Sequence, residues 1–129
     1  MQRRVVVTGL GLVTPLGVGL RGKGSEGVWQ RLLRGDSGAN RIEKMDVSDL
    51  PCQIAAEIPQ VNGNGGGTED AGDLAFNPDD WVDAKERRRV DDFIVYGMTA
   101  AGLAIDDAGL ELNTDAEKER AGVMIGSGI

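Results

Sequence analysis

The sequence contains no histidine, a single cysteine and few aromatic side chains, which make up 4% of its 129 residues. Without histidine, both the commonest general base and the commonest metal ligand are missing. The single cysteine, Cys52, cannot form an internal disulfide. Because 40% of the residues are hydrophobic, a core is still expected, and it must be built from aliphatic side chains and alanine.

Positive charge is also scarce, with 14 Lys and Arg against 21 Asp and Glu and a formal net charge of −7. This balance argues against nucleic acid binding, because neutralising phosphates requires an excess of basic residues. The apolar stretch at the N-terminus is interrupted by Thr8, Thr14 and Pro15, which argues against a signal peptide. We therefore expect a cytoplasmic protein with neither a nucleic acid nor a membrane partner.

One long helix is predicted over residues 93–108, after Asp91 and Asp92, which can cap its N-terminus. Its apolar side chains recur at helical spacing and the opposite face is hardly polar, so the helix is expected to be buried on all sides. Gly109 fits the left-handed position just past its end. The chain is short for the layers that would cover such a helix, which indicates that part of the core is missing. The helix also carries small residues that would let other backbones approach closely: Gly97, Ala100, Ala101, Gly102 and Ala104.

The other predicted elements are shorter, and their order indicates an α/β layer protein with parallel strands. Residues 3–10 and 121–125 each contain a continuous apolar run that predicts a buried strand. Further elements follow from capping and turn signals: a helix from Ser25 or Glu26 to Gly35, a strand within Gln53–Ile58, a helical turn at Asn77-Pro78, and a helix over 115–120 with Thr114 as its N-cap. The glycine-rich stretches 18–24 and 62–73 are predicted to be a flexible loop and a mobile insertion.

Several partial motifs for chemistry are weak. Gly9-Leu10-Gly11 follows a predicted strand, but Thr14 occupies the position of the third glycine of a dinucleotide-binding motif. Residues 17–25 miss the P-loop pattern because Ser25 arrives one residue late. Cys52 has no histidine to activate it, so a buried structural thiol is expected. Three pairs of aspartates lie at predicted helix ends, where capping and solvation explain them: Asp79 and Asp80, Asp91 and Asp92, and Asp106 and Asp107.

A basic cluster stands out against this acidic background. Four positive charges fall within five positions: Lys85, Arg87, Arg88 and Arg89. Lys85, Arg88 and Arg89 are spaced i, i+3, i+4, so they share one face of a helix. This spacing predicts a site for an anion or an acidic partner, with a merely solvated helix face as the equal alternative.

Taken together, five stretches resemble the start of a β-ketoacyl-acyl-carrier-protein synthase, and they are most similar to type II, the elongating condensing enzymes of fatty acid synthesis. They are RRVVVTGLGLVTPLG at 3–17, WQRLLRGDSG at 29–38, DVSDLPCQIAAEI at 46–58, FNPDDWVDAKERRRVDDFIVYGMTAAGLAIDDAGL at 76–110 and GVMIGSGI at 122–129. The resemblance implies a thiolase-like fold layered α/β/α/β/α. Residues 1–129 would be an incomplete N-terminal portion of that fold, with 62–73 as a flexible glycine-rich insertion.

The resemblance also implies a function. The family's acyltransferases catalyse a decarboxylating Claisen condensation of acyl- with malonyl-carrier protein, as homodimers and without a metal or organic cofactor. Their nucleophilic cysteine and histidines lie downstream, so this chain would hold no catalytic residue and be inactive alone. Lys85, Arg88 and Arg89 match the family's carrier-protein docking residues, and Ile129 matches an isoleucine of the acyl pocket. A non-catalytic carrier-protein docking module and a nucleotide-binding α/β domain are the alternatives.

Overall fold

The computed structural model describes residues 3–19, 27–61 and 72–128, and within these it has mixed helical and strand content. The helices are α1 (Val28–Arg34), α2 (Ala84–Arg87), α3 (Asp92–Ala108) and α4 (Asp115–Glu119). Two 3-10 helices span Gly72–Leu74 and Pro78–Asp80. The strands are β1 (Val13–Thr14), β2 (Gly17–Val18), β3 (Asn40–Arg41) and β4 (Ile54–Ala55).

The strands form two small antiparallel pairs, β1 with β2 and β3 with β4. The prediction of parallel strands is therefore wrong for the named strands of the described chain. A single parallel bridge, between Gln60 and Phe76, lies outside them. Antiparallel strands can be joined by a short turn, as β1 and β2 are, whereas parallel strands need a crossover of about a dozen or more residues.

The long helix α3 confirms the predicted helix over 93–108. Gly109 follows it in the left-handed conformation, and its N–H donates to the carbonyl of Asp106 while that of Leu110 donates to Ile105. This is the Schellman arrangement that ends many helices. Asp91 holds the N-cap position with extended backbone, but its side chain makes no capping hydrogen bond in the described structure.

Two faces of α3 are packed. On one face, Val95 and Thr99 are buried, and Trp81 lies directly over Gly102. On the other, the N-terminal segment lies against the helix backbone so closely that a Cβ at Gly9 would collide with the Ala104 carbonyl. The prediction that small residues admit neighbouring backbones is confirmed at this second face.

The described chain does not bury α3 on all sides, as expected for a chain too short to supply the covering layers. Four apolar side chains of the helix are 38% to 46% exposed: Phe93, Ile94, Met98 and Ile105. The described chain provides cover for only two faces of a helix that is apolar on nearly every side.

The two predicted buried strands are also wrong, since neither 3–10 nor 121–125 pairs with another strand. Val5, Val6 and Val7 are 67% to 90% exposed, and Val123 to Ile125 are 60% to 98% exposed. A strand requires hydrogen-bonding partners outside itself, and the described chain offers these runs none.

The shorter helical predictions are borne out more closely. Helix α1 ends at Gly35 as predicted, while its predicted start at Ser25 or Glu26 lies outside the described residues. Thr114 caps α4, and the strand predicted within 53–58 shortens to β4. Most of 18–24 and of 62–73 lies outside the described residues, although Gly72 opens a 3-10 helix. None of the described helices is long and apolar enough to cross a membrane.

Candidate functional site

The basic cluster lies on the single-turn helix α2 and the residues that follow it. Arg88, at the C-cap, keeps near-helical angles (φ −72, ψ −8), and the Arg89 N–H donates to the Glu86 carbonyl over 2.8 Å. Lys85 and Arg88 are therefore one turn apart on continuous helical backbone, and Arg89 lies in the tighter turn just beyond. Lys85, Arg88 and Arg89 are all exposed.

One cation of the cluster is held by an internal partner. Arg87 Nη1 lies 3.1 Å from Asp79 Oδ1, which fixes its guanidinium against the preceding turn. By contrast, Lys85, Arg88 and Arg89 form no ion pair with any of residues 3–19, 27–61 and 72–128. The cluster thus divides into one structural arginine and three exposed cations, which we call the basic face.

The turn that presents Asp79 is itself built from local signals. Asn77 accepts the Asp79 N–H through its side-chain oxygen over 3.3 Å and donates to Asp80 Oδ1 over 2.7 Å. Pro78, at the first position of the 3-10 helix, is buried, and its carbonyl accepts the Val82 N–H over 3.1 Å. An Asn cap followed by Pro is a strong helix-start signal, so this sequence folds the support of Arg87 locally.

A small apolar cluster anchors this turn to α3. Phe76, Val82 and Val95 are buried together, with Trp81 and Tyr96 packed against them. The rings of Phe76 and Tyr96 meet edge to face with their centroids 5.1 Å apart. Because the basic face begins three residues after Val82, this packing fixes the start of the segment that carries it.

A side-chain hydrogen bond joins Gln60 to Tyr96, the α3 residue that packs against this cluster. The Gln60 side chain donates to the Tyr96 hydroxyl over 3.3 Å. Burial of the ring, and then the nearby Asp92 carboxylate, raise the pKa of Tyr96 above its ordinary value. The phenol therefore stays protonated at neutral pH and serves as a structural hydrogen-bonding group rather than an acid or base.

The described chain brings together no catalytic constellation. Among residues 3–19, 27–61 and 72–128, no group of three or more Cys, Asp or Glu side chains is placed to hold a metal ion. Cys52 is exposed rather than buried, which corrects that prediction, because it lies in the turn before the short strand β4. Ile129, the predicted acyl-pocket residue, lies outside the described residues.

The glycines of the partial dinucleotide motif have a packing role. A Cβ at Gly11 would collide with the Ala100 carbonyl, just as one at Gly9 would with that of Ala104. The Leu10 N–H between them donates to Asp107 Oδ2 over 3.0 Å. These residues therefore lie along the middle and C-terminal turns of α3, not at a helix N-terminus. Its position at a helix end predicts that Asp107 caps the helix or is solvated, and this pattern does not predict the hydrogen bond to Leu10.

Comparison with known proteins gives one consistent result. A family model described as the N-terminal domain of β-ketoacyl synthase matches residues 2–129. The chain is 46% identical over 128 residues to "3-oxoacyl-[acyl-carrier-protein] synthase 2" of Rhizobium meliloti, covering 99% of this chain and 27% of that protein.

More distant relatives carry similar names. The protein of that name from Coxiella burnetii is 41% identical over 99% of this chain and 26% of its own length. A chloroplastic "3-oxoacyl-[acyl-carrier-protein] synthase II" from Arabidopsis thaliana is 36% identical over 98% of this chain and 20% of its own length. The chain therefore spans about a quarter, or less, of the length of the curated relatives it matches.

Proposed function

The chain belongs to the β-ketoacyl synthase family, and on that premise we propose that it is part of a β-ketoacyl-acyl-carrier-protein synthase II that elongates fatty acids. The reaction is the decarboxylating condensation of an acyl with a malonyl thioester, both delivered by acyl carrier protein. The three relatives described above, which are named 3-oxoacyl-carrier-protein synthase 2 or II, support this assignment. The complete enzyme would have the layered thiolase-like fold and act as a cytoplasmic homodimer.

Within that enzyme, this chain would contribute docking rather than chemistry. The basic face of Lys85, Arg88 and Arg89 would bind the acidic carrier protein, and Ile129 would line the acyl pocket. The observation that carries the docking role is the division of the cluster: with the described residues as possible partners, Arg87 is paired, to Asp79 at 3.1 Å, and the other three cations are not. On a protein of net charge −7, three exposed cations form a local patch that attracts an acidic partner, while the rest of the protein's negative charge repels it.

The docking role is tested by neutralising the three exposed cations together and, in a separate variant, the paired arginine. The triple variant Lys85→Gln, Arg88→Gln, Arg89→Gln removes the basic face, whereas Arg87→Gln removes the paired arginine. Exposed charge contacts contribute roughly 0.2–1 kcal/mol each. The triple variant should therefore weaken carrier-protein binding by about threefold to more than a hundredfold. Arg87→Gln should leave the affinity nearly unchanged.

Affinity is measured by fluorescence anisotropy with a labelled acyl carrier protein, at low and at high salt. Binding through the basic face should weaken as salt screens the exposed charges, since the screening length is about 10 Å at 0.1 M. An effect of Arg87→Gln as large as that of the triple variant would contradict the assignment of the face. Binding without any condensation product, when the complete protein is assayed with acyl- and malonyl-carrier protein, would favour the non-catalytic docking module instead.

A further inference from the structure

The ion pair between Asp79 and Arg87 joins the helix that carries the basic cluster to the turn before it. Arg87 ends helix α2, and Asp79 lies eight positions earlier, in the 3-10 helix Pro78–Asp80. The pair is partly solvated, because the side chain of Arg87 is 36% exposed and that of Asp79 is 57% exposed. A carboxylate of an approaching partner can therefore reach Arg87, but only in competition with Asp79.

Arg87 and the basic face lie on different sides of α2. A helix has about 3.6 residues per turn, so residues two positions apart, such as Lys85 and Arg87, project to nearly opposite sides. Arg88, one turn beyond Lys85, shares the side of Lys85 instead. The contact of Arg87 Nη1 with Asp79 Oδ1 at 3.1 Å directs the guanidinium back toward the preceding 3-10 helix. Without this contact, α2 would present unpaired cations on two sides.

Local contacts hold Asp79 in place independently of Arg87. Its backbone N–H donates to the Asn77 side-chain oxygen over 3.3 Å, and Pro78 before it is buried. Because Asp79 and Arg87 belong to one short stretch of chain, the Asp79 carboxylate competes for the guanidinium at a high effective concentration, whereas a partner's carboxylate must come from solution. Asp79 thus occupies Arg87 as a carboxylate of an acidic partner would.

We propose that Asp79 determines the specificity of the basic face by acting as an internal competitor for Arg87. With Arg87 neutralised, the cations left for an acidic carrier protein are those of the basic face, on one side of α2. Electrostatic complementarity fixes the orientation of a partner, and removing an attractive charge from the wrong side excludes a competing orientation. This role rests on the carrier-protein docking proposed above, and it assigns to Asp79 a function that docking alone does not require.

The role of Asp79 is tested with two substitutions that change the net charge equally. Asp79→Asn removes the partner of Arg87, whereas Asp80→Asn removes a neighbouring carboxylate that accepts a hydrogen bond from Asn77, and leaves the Arg87 pair intact. Affinity of the complete protein for a labelled acyl carrier protein is measured by fluorescence anisotropy. At low salt, Asp79→Asn should bind about 1.4- to fivefold more tightly than Asp80→Asn, the range expected for one exposed charge contact. Asp79→Glu keeps a carboxylate for Arg87 and should bind like the unmodified protein.

The same two substitutions are then added to the triple variant that lacks the basic face. There Asp79→Asn should restore part of the lost affinity through Arg87, and Asp80→Asn should restore less. Equal affinities of Asp79→Asn and Asp80→Asn, or weaker binding by Asp79→Asn than by the unmodified protein, would overturn the role of Asp79 and leave the basic face in place. A triple variant that binds as tightly as the unmodified protein would instead refute the docking role itself, and the role of Asp79 with it.

Discussion

Two glycines within α3 allow a matched test of its packing. Gly97 and Gly102 both lie in the helix interior, where replacing Gly by Ala stabilises an exposed helix by up to about 1 kcal/mol. A Cβ at Gly97 would have its nearest neighbour, an Ile125 methyl group, at an ordinary 3.8 Å. A Cβ at Gly102 would lie 2.5 Å from Cζ3 of Trp81, with two more ring atoms within 3.4 Å. The same methyl group is therefore tolerated at one site and obstructed at the other.

The expected magnitude is the difference between the stability changes caused by Gly97→Ala and Gly102→Ala. The gain in helix propensity is common to both, so their difference reports the steric cost at Trp81. Overpacking of this kind costs about 1–3 kcal/mol, because the ring belongs to the cluster around Phe76 and cannot simply swing away. Gly97→Ala should thus stabilise α3 by up to about 1 kcal/mol. Gly102→Ala should be less stable than Gly97→Ala by about 1–3 kcal/mol.

Amide hydrogen exchange of the α3 peptides, followed by mass spectrometry, measures the difference as a local opening free energy. Exchange in Gly102→Ala should be about five- to 150-fold faster than in Gly97→Ala. Adding Trp81→Leu removes the obstructing ring, so in that background Gly97→Ala and Gly102→Ala should have similar rates of amide exchange in α3. Equal protection of Gly97→Ala and Gly102→Ala with Trp81 in place would refute the packing of this ring on the helix.

Three further perturbations test other parts of the structure. Gly11→Ala places a Cβ against the immobile Ala100 carbonyl, so limited proteolysis should release the N-terminal segment faster, and an unchanged rate would contradict the close contact. Asn77→Ala removes the cap of the 3-10 helix and should lower its local stability by about 1 kcal/mol, seen as faster exchange at residues 78–82. The backbone N–H and then the hydroxyl of Thr114 lower the pKa of Glu117, so this carboxylate stabilises the fold at neutral pH, and the contribution is lost as pH falls through the folded pKa. Thr114→Ala should raise that pKa part of the way to its ordinary value in an NMR titration, and no change would show that the hydroxyl does not contribute.

The helices were predictable because their determinants are local. Most backbone hydrogen bonds of α3 form within the helix itself. Its two sequence signals, the apolar spacing and Gly109 at its end, also lie within the helix or directly after it. The capping box of α4 likewise needs only Thr114 and Glu117. What the spacing of α3 could not reveal is which of its faces the chain would cover, since that depends on residues distant in sequence.

The residues of the basic face could be predicted from the sequence, but the ion pair that sets Arg87 apart from them could not. The spacing of Lys85, Arg88 and Arg89 places these three side chains on one helix face. It gives no reason why Arg87 should be paired with Asp79. The reason for its separation, the ion pair to Asp79, spans eight positions and a change of chain direction. Helical spacing cannot predict such a pair, although the Asn77-Pro78 signal marked the turn that makes it.

The predictions of strands over 3–10 and 121–125 failed because a strand depends on partners that are distant in sequence. Three consecutive valines at 5–7 have the composition of a strand, but the backbone hydrogen bonds of a strand are made to other strands. A helix can form wherever its sequence favours it, whereas a strand forms only where a partner is present. The described chain gives partners only to strands two residues long, each closed by an antiparallel neighbour. Among the residues that the structure describes, the exposed runs at 5–7 and 123–125 are thus strand sequences without a strand partner.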